Sequence, residues 1–335
     1  MGQGEDRLIE RMGQGEDRLI ERMREALPFG ERTLLWSGDD CAEISAPEGH
    51  VLVTTDVLVE GRHFLTDWSA PGQIGRRAAA QNLADIAAQG GVPSAFVVSM
   101  VVPDNTDTDW LLDVVSGFGA EVAPTGAGVV GGDLSGGSQF SIAVTALGYA
   151  PHGPVRRSGA RPGDIIAVAG TLGMSAAGFE LLRTEAVAAS LHSEEALGDW
   201  YLPVSTYRVP RPPLRAGVAA AASGATAMMD ISDGLSIDLA RMAKASNVMM
   251  DLYPQRLQED VARLLPAARK TGKDAWQWVL HGGEDHAMLA TFPPDTILPT
   301  PFRVIGGVGT VGQDTSSRIR IDGQPLNEGG WDHFN

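Results

Sequence analysis

Carboxylates recur along this chain at the ends of apolar, strand-like runs, each beside a glycine or another small residue. The instances are Ser37-Gly38-Asp39-Asp40, Val53-Thr54-Thr55-Asp56, Gly131-Gly132-Asp133, Met228-Met229-Asp230-Ile231-Ser232-Asp233-Gly234 and Gly282-Gly283-Glu284-Asp285. Asn82-Leu83-Ala84-Asp85 is a helical counterpart. Strand ends are where α/β folds place ligands. Any one of these aspartates alone reads as a turn former or a helix cap. As a set they need a cation, because apolar strands do not end repeatedly in uncompensated carboxylates. Basic residues are sparse around the motifs. Aspartates with hydroxyl and backbone oxygens, and no His or Cys cluster, select Mg²⁺ over zinc. In enzymes such hard cations accompany phosphate.

Other phosphate and cofactor cradles are excluded or weak. Two segments carry a dinucleotide glycine pattern, Gly126-Ala127-Gly128-Val129-Val130-Gly131 and Gly307-Val308-Gly309-Thr310-Val311-Gly312. Neither opens a helix after a tight turn, so a nicotinamide site is not expected. The P-loop pattern is absent, since Lys270-Thr271 lacks the preceding glycines, and so are the protein-kinase signatures. Among seven histidines, with no HExxH, His63 is the candidate for work, seven residues beyond Asp56. Asp238 falls inside a helical stretch and reads as structural.

The elements that must position these groups alternate. Strands are predicted at 51–56, 95–102, 128–132, 141–149, 165–169, 227–230, 248–252, 287–292 and 303–308. Helices are predicted at 71–91, closed by Gly90-Gly91, from an N-cap at 105–107 through 122, and at 175–183, 213–222 and 235–245. This alternation indicates α/β or α+β layering. A loop rich in Pro, Gly and Arg at 151–164 sets the domain boundary near 151. Both halves contribute acidic motifs, so a site shared across their interface is expected.

Composition narrows the class. The 335 residues suit about two domains. A net charge of −16 argues against nucleic acid as a partner and repels phosphorylated molecules unless metal ions intervene. The single cysteine, Cys41, excludes an intramolecular disulfide and fits a reducing cytoplasm. The longest small-apolar stretch, 216–229, is too short to span a bilayer, so no membrane association is expected. Residues 1–11 are repeated without change at 12–22. The second copy is taken as native and the first as an appendage, giving segments 1–22, 23–150 and 151–335.

The ordered set GEDRLI, SGDDCA, TTDVLVEGRHF, NLADIAAQGG, GGDLS, RSGARPGD, MMDISDGLSIDL, GGED and the terminal GGWDHF resembles the thiamine-monophosphate kinase family. That family sits in the superfamily of aminoimidazole ribonucleotide synthetase and selenophosphate synthetase. The resemblance runs from about residue 15 to the end. It implies a two-domain α/β (α+β layered) fold. Its N-terminal domains would pair into a homodimeric, β-barrel-like core, and both domains would line an ATP and Mg²⁺ cleft. The implied reaction is Mg²⁺-assisted, in-line transfer of the γ-phosphoryl group of ATP to thiamine monophosphate, giving thiamine diphosphate. No side-chain base is implied, because the nucleophile is an already ionised phosphate oxygen.

Carried over by motif, Asp40, Asp56, Asp85, Asp133, Asp230 and Asp233 are the implied metal ligands, with oxygens from Thr54 and Thr55. Gly132, Asp133, Arg157 and Ser232 are the implied nucleotide contacts. His63, Glu284 and Trp331 are the implied substrate contacts. The chain departs from the family at His286 and Ala287, where GGEDYEL is common, at Ala84 in place of serine, and at Arg62 in place of a smaller residue. A purine-pathway synthetase and a non-catalytic sensor of thiamine phosphates or nucleotide are the alternative readings.

Overall fold

The structure is a computed structural model that describes residues 33–35, 42–46, 49–103, 106–184, 194–312 and 317–330. The duplicated segment, Asp40 and Trp331 lie outside the described residues.

The first half is a six-stranded sheet in the order β1-β2-β3-β6-β4-β5. Its strands are β1 (Thr33–Leu35), β2 (Ala42–Ala46), β3 (Gly49–Val59), β4 (Val92–Pro103), β5 (Gly128–Gly137) and β6 (Ser141–Tyr149). Neighbours are antiparallel except β4 and β5, which are parallel. Two helices, α1 (Pro71–Ala88) and α2 (Thr108–Val122), cover one face. Leu52 and Leu58 of β3, Ile74 and Leu83 of α1 and Val114 and Phe118 of α2 share that core. Leu52, Thr54, Asp56 and Leu58 therefore share the helix-facing side of β3, because side chains alternate along a strand. Asp107 caps α2, its Oδ1 accepting from the Asp109 N–H at 2.7 Å.

The second half is a seven-stranded sheet in the order β13-β12-β9-β11-β7-β10-β8. Its strands are β7 (Ile165–Ala169), β8 (Ala227–Ile231), β9 (Met249–Leu252), β10 (Ala287–Phe292), β11 (Arg303–Gly309), β12 (Ile319–Ile321) and β13 (Gln324–Pro325). Only β9 and β12 pair in parallel. The helices are α3 (Met174–Leu182), α4 (Glu194–Leu197), α5 (Tyr201–Arg208), α6 (Leu214–Ala222), α7 (Leu235–Ser246), α8 (Gln258–Thr271) and α9 (Ala275–His281). Leu181 of α3, Val204 of α5, Leu239 of α7, Leu264 of α8 and Val279 of α9 fill one core with this sheet. Ala216 and Ala220 of α6 pack on its other face with Ala84, Ala87 and Ala88 of α1.

Helix α1 is thus enclosed by both sheets, which explains its composition. Its alanines are buried around nearly the whole circumference, as expected of a helix with no solvent face. Close crossings need glycine: a Cβ at Gly75 would lie 1.9 Å from the Val114 carbonyl oxygen, and one at Gly217 would lie 1.9 Å from that of Ala87. The helix ends where expected, with Gly90 in the left-handed region at φ 72°.

Four helices escape the sequence reading: the short α4, α5, α8 and α9. Pro203 and Pro266 lie within α5 and α8 and argue against helix locally. The ends of α8 carried the opposite signal. Glu259 and Asp260 open it, Arg269 and Lys270 close it, and Gly272 terminates it at φ 71°. Strand β5 is also longer than predicted, running to Gly137 rather than stopping at Gly132.

Candidate active site at the junction of the two halves

Acidic residues of both halves meet around Asp56. Burial raises the Asp56 carboxyl to about 6, helped by the charges of Asp230, Glu284 and Asp233 and opposed by His286. Asp56 lies on the helix-facing side of β3, whereas Asp230 and Asp233 lie at and just beyond the end of β8. Thr54 faces the same way as Asp56, and its Oγ1 donates to Asp85 Oδ2 of α1 at 2.6 Å. Asp85 sits one turn beyond Gln81, whose Nε2 donates to Glu284 Oε2 at 3.3 Å.

Asp230, Asp233 and Asp238 of the second half each have a cationic or donor partner. Asp230 is 1% exposed, and its Oδ2 accepts from His286 Nδ1 at 2.9 Å. Asp233 pairs with Arg241, and burial still pushes its carboxyl above the usual range. Asp238 is fully buried, with Oδ2 accepting the Asp233 and Gly234 N–H groups at 3.0 and 3.1 Å. Burial and the Asp233 charge raise Asp238 to about 7. Its role is to fix the loop that carries Asp233, in keeping with a structural assignment.

Glu284, Asp285 and His286 leave the backbone in three directions. Glu284 Oε2 accepts from Arg77 Nη2 of α1 at 2.6 Å. Burial would raise the Glu284 carboxyl, but Arg77, His286 and His63 outweigh it and hold it below its ordinary value. Asp285 reaches the start of α3, accepting from Thr171 Oγ1 at 2.6 Å and from the Met174 and Ser175 N–H groups at 3.1 and 3.2 Å. Burial raises it to about 6 against those bonds. His286 turns to β8. Glu284 and His286 adopt φ of 67° and 52°, a region that non-glycine residues enter at a cost.

A cavity of about 180 Å³ opens beside Glu284. Phe179 and Tyr207 line it, with ring centroids 5.8 Å apart, and Trp68 stacks edge-on behind both. Arg62, His63, Arg77 and the glycines Gly282, Gly283 and Gly330 complete its walls. The Val59 N–H donates to His63 Nδ1 at 2.9 Å. In the neutral ring this leaves the proton on Nε2.

The remaining expected site residues fall elsewhere. The Thr55 side chain lies on the other face of β3, where Oγ1 donates to the Val144 carbonyl at 2.8 Å. Asp133 aligns across the sheet with Ser99, Ala143 and Val57. That register places it on the face away from Asp56, and Ser135 Oγ donates to its Oδ2 at 2.9 Å. The predicted strand ends at Gly132, but β5 continues to Gly137, so Asp133 lies inside it rather than at its end. Gly132 packs over the Val98 carbonyl, 2.0 Å from where a Cβ would lie. Arg157 lies in the segment along β8, where its carbonyl accepts from Ser246 Oγ at 2.9 Å. Ser232 adjoins the site, its carbonyl accepting the Glu284 N–H at 2.7 Å. Arg77, Gln81, Phe179 and Tyr207 were not singled out in the sequence: Arg77 and Gln81 sit on a helix buried nearly all round, where a functional Arg does not stand out, and Tyr207 sits on α5, a helix the sequence does not announce.

The donor set suits a hard cation. Among the described residues no three His, Cys, Asp or Glu side chains converge closely enough to hold a metal ion. The carboxylates around Asp56 nevertheless repel one another, and the buried Nε2 of His286 and Oε1 of Gln81 have no hydrogen-bond partner. Mutually repelling oxygens with unsatisfied polar neighbours fit a site built around an added ligand.

Comparison with known proteins agrees with this layout. Models of the AIR synthase related protein match residues 38–150 for the N-terminal domain and 161–293 for the C-terminal domain. The thiamine-monophosphate kinase of Mycobacterium tuberculosis is 42% identical over 303 residues, covering 90% of this chain and 86% of the relative. That of Corynebacterium glutamicum is 37% identical over 310 residues, covering 89% and 88%. A solved structure of AaThiL complexed with AMPPCP and TMP superposes with a TM-score of 0.82 at 29% identity, covering 95% of this chain and 97% of that one. With its two-domain α/β fold, the chain belongs to the thiamine-monophosphate kinase family.

Proposed function

We propose that this protein transfers the γ-phosphoryl group of ATP to thiamine monophosphate, forming thiamine diphosphate. The observation that carries this reading is the convergence of carboxylates from both halves on Asp56, next to an aromatic cavity. The family and the relatives named above support it.

The cavity suits the acceptor. Thiamine carries a cationic thiazolium ring, which is attracted to aromatic faces such as those of Phe179 and Tyr207. Glu284, held ionised by Arg77, supplies the opposite charge and can accept a hydrogen bond from the aminopyrimidine. His63 offers an Nε2–H donor, and Arg62 a cation for the acceptor phosphate. Trp331 is retained as a substrate contact.

Asp56, Asp85, Asp230 and Asp233, with Thr54, are the residues that would hold Mg²⁺. Asp40 joins the proposed set, and Thr55 and Asp133 are kept in it as ligands on the opposite face of the first sheet rather than beside Asp56; Gly132, Asp133, Arg157 and Ser232 are assigned to the nucleotide. Bound Mg²⁺ would offset the charge of two polyanions and of the group in transfer. The protein's own contribution is placement. Sheet and helix fix Asp56 and Asp85, Asp238 fixes the loop of Asp233, and His286 orients Asp230. No general base is needed, because the attacking oxygen is already ionised.

The chain is proposed to work as a cytoplasmic homodimer through its first sheet, with a boundary between halves near residue 151. Strand β5 is an edge strand exposed along almost its whole length. Val129, Val130 and Leu134 on β5 and Val57 on β3 are 50%, 69%, 60% and 50% exposed. A long apolar edge of this kind invites pairing with a second copy. No helix among the described residues is long and apolar enough to cross a membrane.

The direct test is incubation with Mg-ATP and thiamine monophosphate, following thiamine diphosphate by thiochrome fluorescence. Tight binding without product would favour the sensor reading. Turnover only with formylglycinamidine ribonucleotide would favour the purine synthetase.

A further inference from the structure

A glycine-only stretch of the cavity wall is held by a buried serine. Ser236, in the first turn of α7, is fully buried. Its Oγ donates to the Gly329 carbonyl at 2.7 Å and accepts the Gly329 N–H at 3.1 Å. His281 Nδ1 lies 2.7 Å from the same oxygen. The hydroxyl has one proton, and the Gly329 carbonyl takes it. Nδ1 of His281 is then the protonated nitrogen and donates to Ser236.

The packing leaves room for nothing but glycine. A Cβ at Gly329 would lie 2.7 Å from His281 Nδ1, and one at Gly330 2.6 Å from the Asp233 carbonyl and 2.7 Å from Ile237 Cγ2. Gly283, on the other side of His281, would place a Cβ 2.3 Å from the Ser232 carbonyl. His281, Gly282, Gly283 and Gly330 all line the cavity. Two glycine pairs, distant in sequence, thus form one wall of bare peptide around His281.

We infer that Ser236 and His281 are positioning residues that clamp the Gly329–Gly330 backbone as a fixed wall of the acceptor cavity. This rests on the reading of that cavity as the thiamine monophosphate site. A wall without side chains lets a flat heteroaromatic ring lie against peptide planes, opposite Phe179 and Tyr207. The clamp fixes the width of that slot. It therefore governs affinity for the aromatic acceptor and leaves the nucleotide untouched.

The test is steady-state kinetics on Ser236→Ala, Gly330→Ala and, as a control on the opposite wall, Phe179→Ala. Hydrogen exchange at the Gly329 amide is measured in the first. A Cβ at Gly330 would press on the Asp233 carbonyl and Ile237, so the melting temperature of that variant is measured beside its kinetics. Both clamp variants should raise KM for thiamine monophosphate about tenfold, and in Ser236→Ala, which leaves Asp233 in place, KM for ATP should stay within about twofold. The Gly329 amide should exchange faster in Ser236→Ala. An equal rise in both KM values in Ser236→Ala, as a general loss of structure would give, overturns the inference. So does an unchanged acceptor KM in the clamp variants when Phe179→Ala raises it. If Phe179→Ala also leaves that KM unchanged, the cavity is not the acceptor site, and the clamp's role falls with it.

Discussion

Arg77 of the first half and Glu284 of the second are joined by a 2.6 Å ion pair whose side chains are 3% and 25% exposed. Arg77 Nη1 also donates to the Tyr207 carbonyl at 2.5 Å, so one guanidinium ties helix α1 to both sides of the cavity. Removing one member of such a pair strands the other. Arg77→Met should cost about 3 kcal/mol, at the low end for a buried pair because Glu284 is partly wetted. Urea denaturation checks this, and adding Glu284→Gln to Arg77→Met should recover part of the loss. Additive costs in the double variant would show that the pair is not coupled.

Asp56→Asn should lower kcat by at least about 100-fold, the scale of losing one group that stabilises transition-state charge. The substitution removes a charge that its acidic neighbours oppose, so the melting temperature should hold or rise. Direct calorimetric titration with Mg²⁺ should show weakened binding. Unchanged Mg²⁺ binding would remove Asp56 from the proposed ligand set.

Asp56, Asp238 and Asp285 have carboxyls raised to about 6, 7 and 6, above an unfolded value of 3.8. A raised carboxyl binds its proton more tightly in the folded state. The stability it confers is present below about pH 4 and is lost as pH rises through 6 to 7. Without Mg²⁺ these groups should make the protein less stable at pH 8 than at pH 5.5. Added Mg²⁺ should restore more stability at pH 8 than at pH 5.5. Thermal melts at both pH values, with and without MgCl₂, check this. A Mg²⁺ gain that is larger at pH 5.5 would contradict it.

Two glycines three residues apart on α1 should behave oppositely. A Cβ at Gly75 meets the Val114 carbonyl at 1.9 Å, so Gly75→Ala should cost about 2–3 kcal/mol by forcing α1 and α2 apart. At Gly72 the nearest atom would be 3.6 Å away, so Gly72→Ala should be neutral or gain up to about 1 kcal/mol. Denaturation midpoints of the two variants decide the matter. Equal effects would show that the crossing is not held by close contact.

The dimer proposal is tested by placing charge on the exposed edge strand. Val130→Glu with Leu134→Glu should convert a dimeric species to monomer in sedimentation velocity, with circular dichroism unchanged. A wild-type protein that sediments as a monomer would refute the proposal at once.

The sequence exposed its strands more readily than its site. Strands β7 and β10 follow from short apolar runs bounded by Gly, Asp and Pro, and their limits coincide with prediction. Helix α8 was hidden by Pro266, whose local signal outweighed charged ends and a terminal glycine. In the site, Asp230 lies one residue from the end of β8, close to the strand end that its motif suggests, whereas Asp56 lies inside β3, which runs on to Val59 rather than ending at residue 56. Arg77 was not legible, because it sits beside Arg76 with nothing local to distinguish the two, and its partner Glu284 is 207 residues away. Asp133 shows the converse difficulty. Its motif resembles the others, and only the register of β5 against β4 reveals that it faces the other way.

Glu284, Asp285 and His286 secure helix α1, the start of α3 and strand β8 from three successive backbone positions. Such a stretch tolerates exchange of side chains far better than a change of length. One inserted residue would redirect all three anchors together, whereas substituting one disturbs a single attachment. Across descendants of this chain, the count of residues between Gly283 and β10 should prove more constant than their identities.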